Sequence, residues 1–188
     1  MRISEPQILD KILSLLDELK AVPKVQMEMF VEELTGASEA QVIYTIGKYG
    51  RQNTYVLTEY GLQKSRMDQL NRKTAMAMWA FMFLNKPVHE DFRLAKWPVS
   101  LLFRKKNDEN LYRVTVCDNP AYDADLAALQ AMQDDKRCTD VIVGEGFDVR
   151  EINPKILPQS NFIYVRLDGN ALTECPQSHI TRVTLKEE

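Results

Sequence analysis

The segment TYVLTEYGLQ, residues 54–63, is the starting point for interpreting the first third of the chain. Its Tyr-Val-Leu triplet favours a β-strand. Thr58 is a good helix N-cap, and Glu59 behind it suits the positive end of a helix dipole. Gly61 allows a close approach in the first helical turn. The segment therefore predicts a short strand that leads directly into a helix.

Three amphipathic helices are predicted upstream of this strand. Ser4 caps the first, and Gln7 completes a capping box before apolar residues recur at helical spacing. Pro23 marks the break before the second helix, which ends at the glycine turn 35–37. Ser38 begins the third helix. The second and third helices and their short turn predict a helix-turn-helix.

The third helix has two distinct stripes at helical spacing. The apolar stripe is expected to face the core and consists of Val42, Ile46 and Tyr49. The polar stripe and the residues that follow it supply the predicted DNA contacts: Gln41, Tyr44, Thr45, Lys48, Arg51 and Asn53. A helix with apolar side chains on one face and hydrogen-bonding side chains on another is suited to insertion in the major groove. On a lone helix, the same pattern is also typical of solvated polar residues.

The strand and the helix after it resemble the Tyr-x-Leu-Thr-x-x-Gly signature of many winged-helix families, including MarR-type and PadR-type regulators. The signature stands here as Tyr55, Leu57, Thr58 and Gly61. Placed after three helices, it implies that residues 1–68 form a winged helix-turn-helix. Only residues 51–53 separate the third helix from the strand, so the wing is expected to be short or altered.

Local charge agrees with this interpretation. The 188 residues carry a net charge of −3, so no global signal indicates a nucleic-acid partner. Residues 36–73 nevertheless have a net charge of +3, whereas the first 35 residues have −3. The positive segment is the one expected to touch phosphates. Because the difference is modest, tight binding is expected to need a homodimer or a second contact.

Composition bounds the class of protein. Hydrophobic residues make up 45% and charged residues 27%, which is typical of globular proteins. The longest apolar run, residues 75–84, is roughly half the length that a bilayer requires. The three cysteines form no Cys-x-x-Cys pair. We expect a soluble, reduced, cytoplasmic protein with no membrane segment, and no motif indicates a cofactor.

Residues 69–188 are predicted to form a mixed α/β domain that includes a long buried connecting helix ending near Leu84. Two strands flank the polar turn at 106–110, and a helix follows with three residues inward: Leu126, Leu129 and Met132. Strands are expected at 139–146 and 161–169, with a closing strand near the C-terminus. The predicted fold class is α+β, an N-terminal winged helix-turn-helix followed by this mixed domain.

The order of elements in the second half is restriction-endonuclease-like, so a metal-dependent nuclease is one hypothesis. Such an enzyme needs carboxylates at a strand end and an (Asp/Glu)-x-Lys on the next strand. Asp118 lies at a strand end, but the Asp-x-Lys spelled by residues 134–136 falls at a helix end. Asp123 and Asp125 are better explained as acids at a helix N-terminus. The basic edge at 103–106 is either a second phosphate contact or a solvated turn.

In architecture, most of the chain resembles the replication-relaxation family of plasmids and integrative elements. In sequence, the resemblance rests on YVLTEYG and on YRVTVCD, residues 112–118, followed by a helix and the strand DVIVG. It implies a non-catalytic, DNA-binding accessory or regulatory protein of a mobile element that binds double-stranded DNA. The alternatives are a protein-interaction module whose winged helix no longer binds DNA and, less favoured, the nuclease.

Overall fold

The computed structural model describes residues 4–19, 21–49, 54–56, 68–85, 92–105, 108–132 and 138–185. The N-terminal elements are α1 (Glu5–Leu19), β1 (Ala21–Pro23), α2 (Lys24–Thr35), α3 (Glu39–Tyr49) and β2 (Thr54–Val56). They are followed by α4 (Asp68–Leu84), β3 (Phe92–Leu94), β4 (Leu101–Arg104), β5 (Leu111–Cys117), α5 (Ala124–Gln130), β6 (Cys138–Glu145), β7 (Phe162–Asp168) and β8 (Gln177–Val183). The fold is mixed α+β. No helix of the described residues has the length and apolarity to span a bilayer.

The N-terminal elements follow the predicted order of three helices and a strand. The Gln7 side chain accepts hydrogen bonds from the Ser4 backbone N–H at 3.0 Å and from Ser4 Oγ at 3.1 Å, and the first of these bonds is one half of the predicted capping box. β2 pairs antiparallel with β1, with Val22 opposite Tyr55. The sequence predicts β2, whereas at β1 Pro23 indicates only a break between helices. Residues 57–67, where the predicted N-cap and the start of the next helix fall, lie outside the described residues.

Six strands form one mixed sheet in chain order, β3 to β8. β3, β4 and β5 make an antiparallel meander. α5 connects β5 to β6, and β5, β6 and β7 are parallel, whereas β8 pairs antiparallel with β7. The structure confirms the mixed sheet, the β4–β5 hairpin and the closing strand. The short strand β3 was not predicted.

One face of the sheet packs against α4 and the N-terminal helices. A single hydrophobic cluster includes residues of α1, α2, α3, α4 and the strands β4 to β7. Hydrogen bonds also cross this core: buried Gln26 donates from Nε2 to the Ala75 carbonyl at 2.8 Å, and Glu18 accepts from the Leu94 N–H at 2.9 Å. The core thus runs across residues 68 and 69, where the sequence predicts a domain boundary. The buried connecting helix is explained by this position between two layers.

The other face of the sheet is covered by α5 and by two short 3-10 turns, Val149–Glu151 and Pro154–Ile156. Leu126 and Leu129 are buried here as predicted. Met132 was predicted to point inward, but its side chain is 42% exposed. α5 ends at Gln130, so the helical spacing that would have placed Met132 beside Leu129 does not continue far enough.

Candidate functional site

The turn between α2 and α3 fixes how α3 is presented. Gly36 has φ 63°, a left-handed conformation that favours glycine, and its N–H donates to the Glu32 carbonyl at 2.8 Å. Thr35 Oγ1 donates to the Val31 carbonyl at 2.7 Å and accepts from the Ala37 N–H at 3.2 Å. These bonds satisfy groups at the end of α2, so the chain reverses sharply into α3.

The outer face of α3 exposes an aromatic side chain. Tyr44 is 63% exposed, and its neighbour Ile43 is 40% exposed. Gln41, one turn before them, is half-buried. A tyrosine in this position offers a hydroxyl that both donates and accepts and a ring that contacts sugar or methyl groups. The face can therefore dock into a groove or against another apolar surface.

Thr45 does not lie on this outer face. Its side chain is fully buried beside Val42 and Ile46, so it is not available to a DNA base. Its hydroxyl has no hydrogen-bond partner among the described residues. The inward stripe of α3 is therefore wider than the apolar residues alone indicated. The side chain of Lys48 is not described, and Arg51 and Asn53 lie outside the described residues, so their DNA contacts stay predictions.

A charged cluster lies at the carboxyl end of β5. Lys73 of α4 contacts Asp118 at 2.9 Å and Asp125 at 2.7 Å, and the Trp97 indole N–H donates to Asp125 at 2.7 Å. Burial lowers the pKa of Lys73, but its hydrogen bonds to Asp125 and Asp118 outweigh burial and raise that pKa above its ordinary value. The lysine ammonium therefore stays charged and holds the two carboxylates together.

The residues around this cluster have structural partners. Asp123 caps α5 by accepting from the N–H groups of Asp125 and Leu126, as predicted for an acid at a helix N-terminus. Arg72 of α4 forms an ion pair with Glu145 at the end of β6. The predicted Asp-x-Lys at 134–136 lies outside the described residues. Within the described part of the chain, no three histidine, cysteine or acidic side chains converge as ligands for a metal ion.

Cys117, next to Asp118 at the end of β5, is buried in the second core. Burial is the largest contribution that raises the pKa of its thiol, to about 12. The thiol is therefore protonated at neutral pH, and its position indicates packing rather than nucleophilic chemistry.

A buried ion pair links the two central parallel strands. Arg113 of β5 donates to Asp140 of β6 through Nε at 2.7 Å and Nη2 at 3.1 Å. The two residues are direct neighbours in the strand register. They line a cavity of about 360 Å³ together with the end of α5 and the segment Pro158–Ser160. The sequence does not predict this pair, because the alternation of β5 alone does not reveal which strand lies beside it.

Comparison of the chain with known family models, with curated proteins and with solved structures gives no match.

Proposed function

We propose that the protein is a DNA-binding accessory or regulatory protein of a mobile element, in which residues 1–68 form a winged helix that presents α3 to the major groove of double-stranded DNA. One observation carries the proposal. The order α1, β1, α2, α3, β2, with β1 and β2 paired antiparallel, is the order expected of the first part of a winged helix. No catalytic role is proposed.

The exposed face of α3 supports the same proposal. Val42 and Ile46 are buried, which turns Tyr44 and Gln41 away from the most buried side of the helix. These two side chains, with Lys48 predicted by helical spacing in the same stripe, form the proposed reading surface. Thr45 is left out of it because it is buried.

The test is fluorescence anisotropy of a labelled random duplex at low salt and at about 0.15 M salt. We expect binding that weakens steeply with salt, and a loss of about tenfold in affinity for Tyr44→Ala, because truncating a central aromatic anchor of an interface costs on the order of 1.4 kcal/mol. Tyr122→Ala is the matched control, since Tyr122 is 64% exposed but precedes α5. Equal losses for both variants, or no binding at low salt, would contradict the proposal.

A protein-interaction module is the first alternative. It is favoured by the exposed apolar pair on α3, Ile43 and Tyr44, because exposed apolar side chains on a helix also suit a protein partner. Absence of duplex binding at low salt, together with specific capture of one partner that is lost in Tyr44→Ala, would favour this alternative.

A metal-dependent nuclease is the second alternative. The order α4, β3–β4–β5, α5 and β6, with β6 parallel to β5, follows the restriction-endonuclease-like order. Two carboxylates and a lysine also meet at the end of β5. Magnesium-dependent nicking of plasmid DNA that is abolished in Asp118→Ala would support it. No nicking over hours would remove it.

A further inference from the structure

The outer face of β3 and β4 carries two arginines. Arg93 of β3 is opposite Leu102 of β4, and Arg104 lies two residues further along β4, so all three share one face of the sheet. Diagonal neighbours in a sheet are about 7–8 Å apart. We call Arg93, Leu102, Arg104 and Leu111 the β3–β4 face.

The charges of this face are not neutralised within the described part of the chain. Residues 92–105 contain four basic side chains and no acidic one. Arg93 and Arg104 are exposed, and neither forms an ion pair with a carboxylate of the described residues. The contrast is the next arginine on the same side of the sheet, Arg113, which is buried against Asp140. The difference leaves the Arg93 and Arg104 guanidinium groups exposed to solvent.

The β3–β4 face also contains a groove. Arg93 and Arg104, with the half-buried Leu102 and Leu111, line a groove of about 250 Å³. Two guanidinium groups therefore flank an apolar floor. Guanidinium groups bind phosphate oxygens in a bidentate manner, and an apolar floor suits the deoxyribose between two phosphates.

We propose that the β3–β4 face is a second DNA-binding surface, in which Arg93 and Arg104 contact successive phosphates of one DNA strand. The inference rests on the proposed function and adds the second contact that the modest charge of the N-terminal segment requires. Its contribution is independent of DNA sequence, because phosphate contacts position a protein without reading bases.

The test compares the salt dependence of duplex binding between the wild-type protein and the double variant Arg93→Gln, Arg104→Gln. Each lost phosphate contact lowers the slope of log K against log salt by about 0.9, so the slope should fall by about 2 and low-salt affinity by about tenfold. The control is Lys155→Glu, which changes net charge by the same amount at an exposed position on a 3-10 turn. Thermal unfolding of each variant checks that it is folded.

The outcomes separate the two proposals. A reduced slope for the double variant and an unchanged slope for Lys155→Glu support the β3–β4 face. An unchanged slope for both variants, with a loss in Tyr44→Ala, overturns the face and leaves α3 binding intact. A reduced slope for the double variant with no effect of Tyr44→Ala overturns the proposed role of α3 alone. If the wild-type protein does not bind duplex DNA, or sediments with phosphatidylserine vesicles instead of binding duplex DNA, both proposals are overturned.

Discussion

Removing Asp140 should be among the most damaging single changes in the described core. Its carboxylate is held by two hydrogen bonds from Arg113, and the two side chains are only 5% and 10% exposed. Both strands of the pair have neighbours on each side in the sheet, and the two side chains meet water only through the cavity that they line. In the variant Asp140→Ala, the buried guanidinium loses the charge and the two hydrogen bonds of this carboxylate.

Breaking a buried ion pair by removing one partner typically costs about 3–5 kcal/mol. Domains are commonly stable by only about 5–15 kcal/mol, so this loss is a large part of the total. For a chain of this length, each kcal/mol corresponds to about 2–4 °C in Tm, and we expect a decrease on the order of 10 °C. Urea unfolding followed by circular dichroism gives the free energy, and thermal unfolding gives the Tm.

The matched variant replaces both partners, Arg113→Met with Asp140→Leu. Because desolvation of the pair offsets most of its attraction, this double replacement should be close to neutral in stability and should recover most of the loss. A loss below about 1 kcal/mol for Asp140→Ala would refute the reasoning, since that value is typical of a solvated surface pair. A double variant as unstable as the single one would show that Arg113 packing, rather than its charge, is what matters.

Two further predictions concern β6 and β5. In Gly144→Ala, the added methyl group would overlap the Tyr164 hydroxyl and lie 2.7 Å from ring carbons of Phe147, so the free energy of unfolding should fall by about 2–3 kcal/mol. Urea unfolding should show partial recovery of stability when Tyr164→Phe is added. Wild-type stability for Gly144→Ala alone would contradict the packing. The pKa of Tyr112 is raised to about 12, mainly by burial and then by its hydrogen bond to Asp108. A raised folded pKa keeps the proton on the tyrosine, so its stabilisation is complete below the unfolded pKa of about 10 and is lost as pH rises towards about 12. Urea unfolding across that range should show a smaller alkaline loss in Tyr112→Phe than in the wild type; an equal loss in both would contradict the assignment.

How far the sequence predicts this fold depends on whether the signal is local. The helices α1, α2 and α3 and the strand β2 follow from periodicity, capping residues and β-branched or aromatic content within single segments. The strands β1 and β3 have three residues each and include Pro23 in β1, so they carry almost no local signal. They exist because of pairing with β2 and β4, a relation between distant parts of the chain that no single segment encodes.

The candidate sites show the same limit. Gln41 and Tyr44 stand in the stripe that helical spacing predicts, but Thr45 is buried, because the tertiary packing around α3 covers more of the helix than its apolar residues indicate. Asp118 was predicted at a strand end and is found there. Its partner Lys73 comes from a helix far away in sequence, which local reasoning could not have paired with it.

Helix α4 poses a problem that the structure resolves. A segment that is apolar nearly all round has no preferred rotation about its own axis, because hydrophobic burial is non-directional. Directed hydrogen bonds within the apolar part of the helix supply that preference: Gln26 of α2 donates to the Ala75 carbonyl, and the Trp79 indole donates to the Ala171 carbonyl at 2.9 Å. Both bonds are buried, so neither can be exchanged for water without leaving a polar group unpaired. They fix the rotation of α4 about its axis and its position along that axis, between the N-terminal helices and the sheet. They therefore also fix the position of α2, the helix that leads into α3.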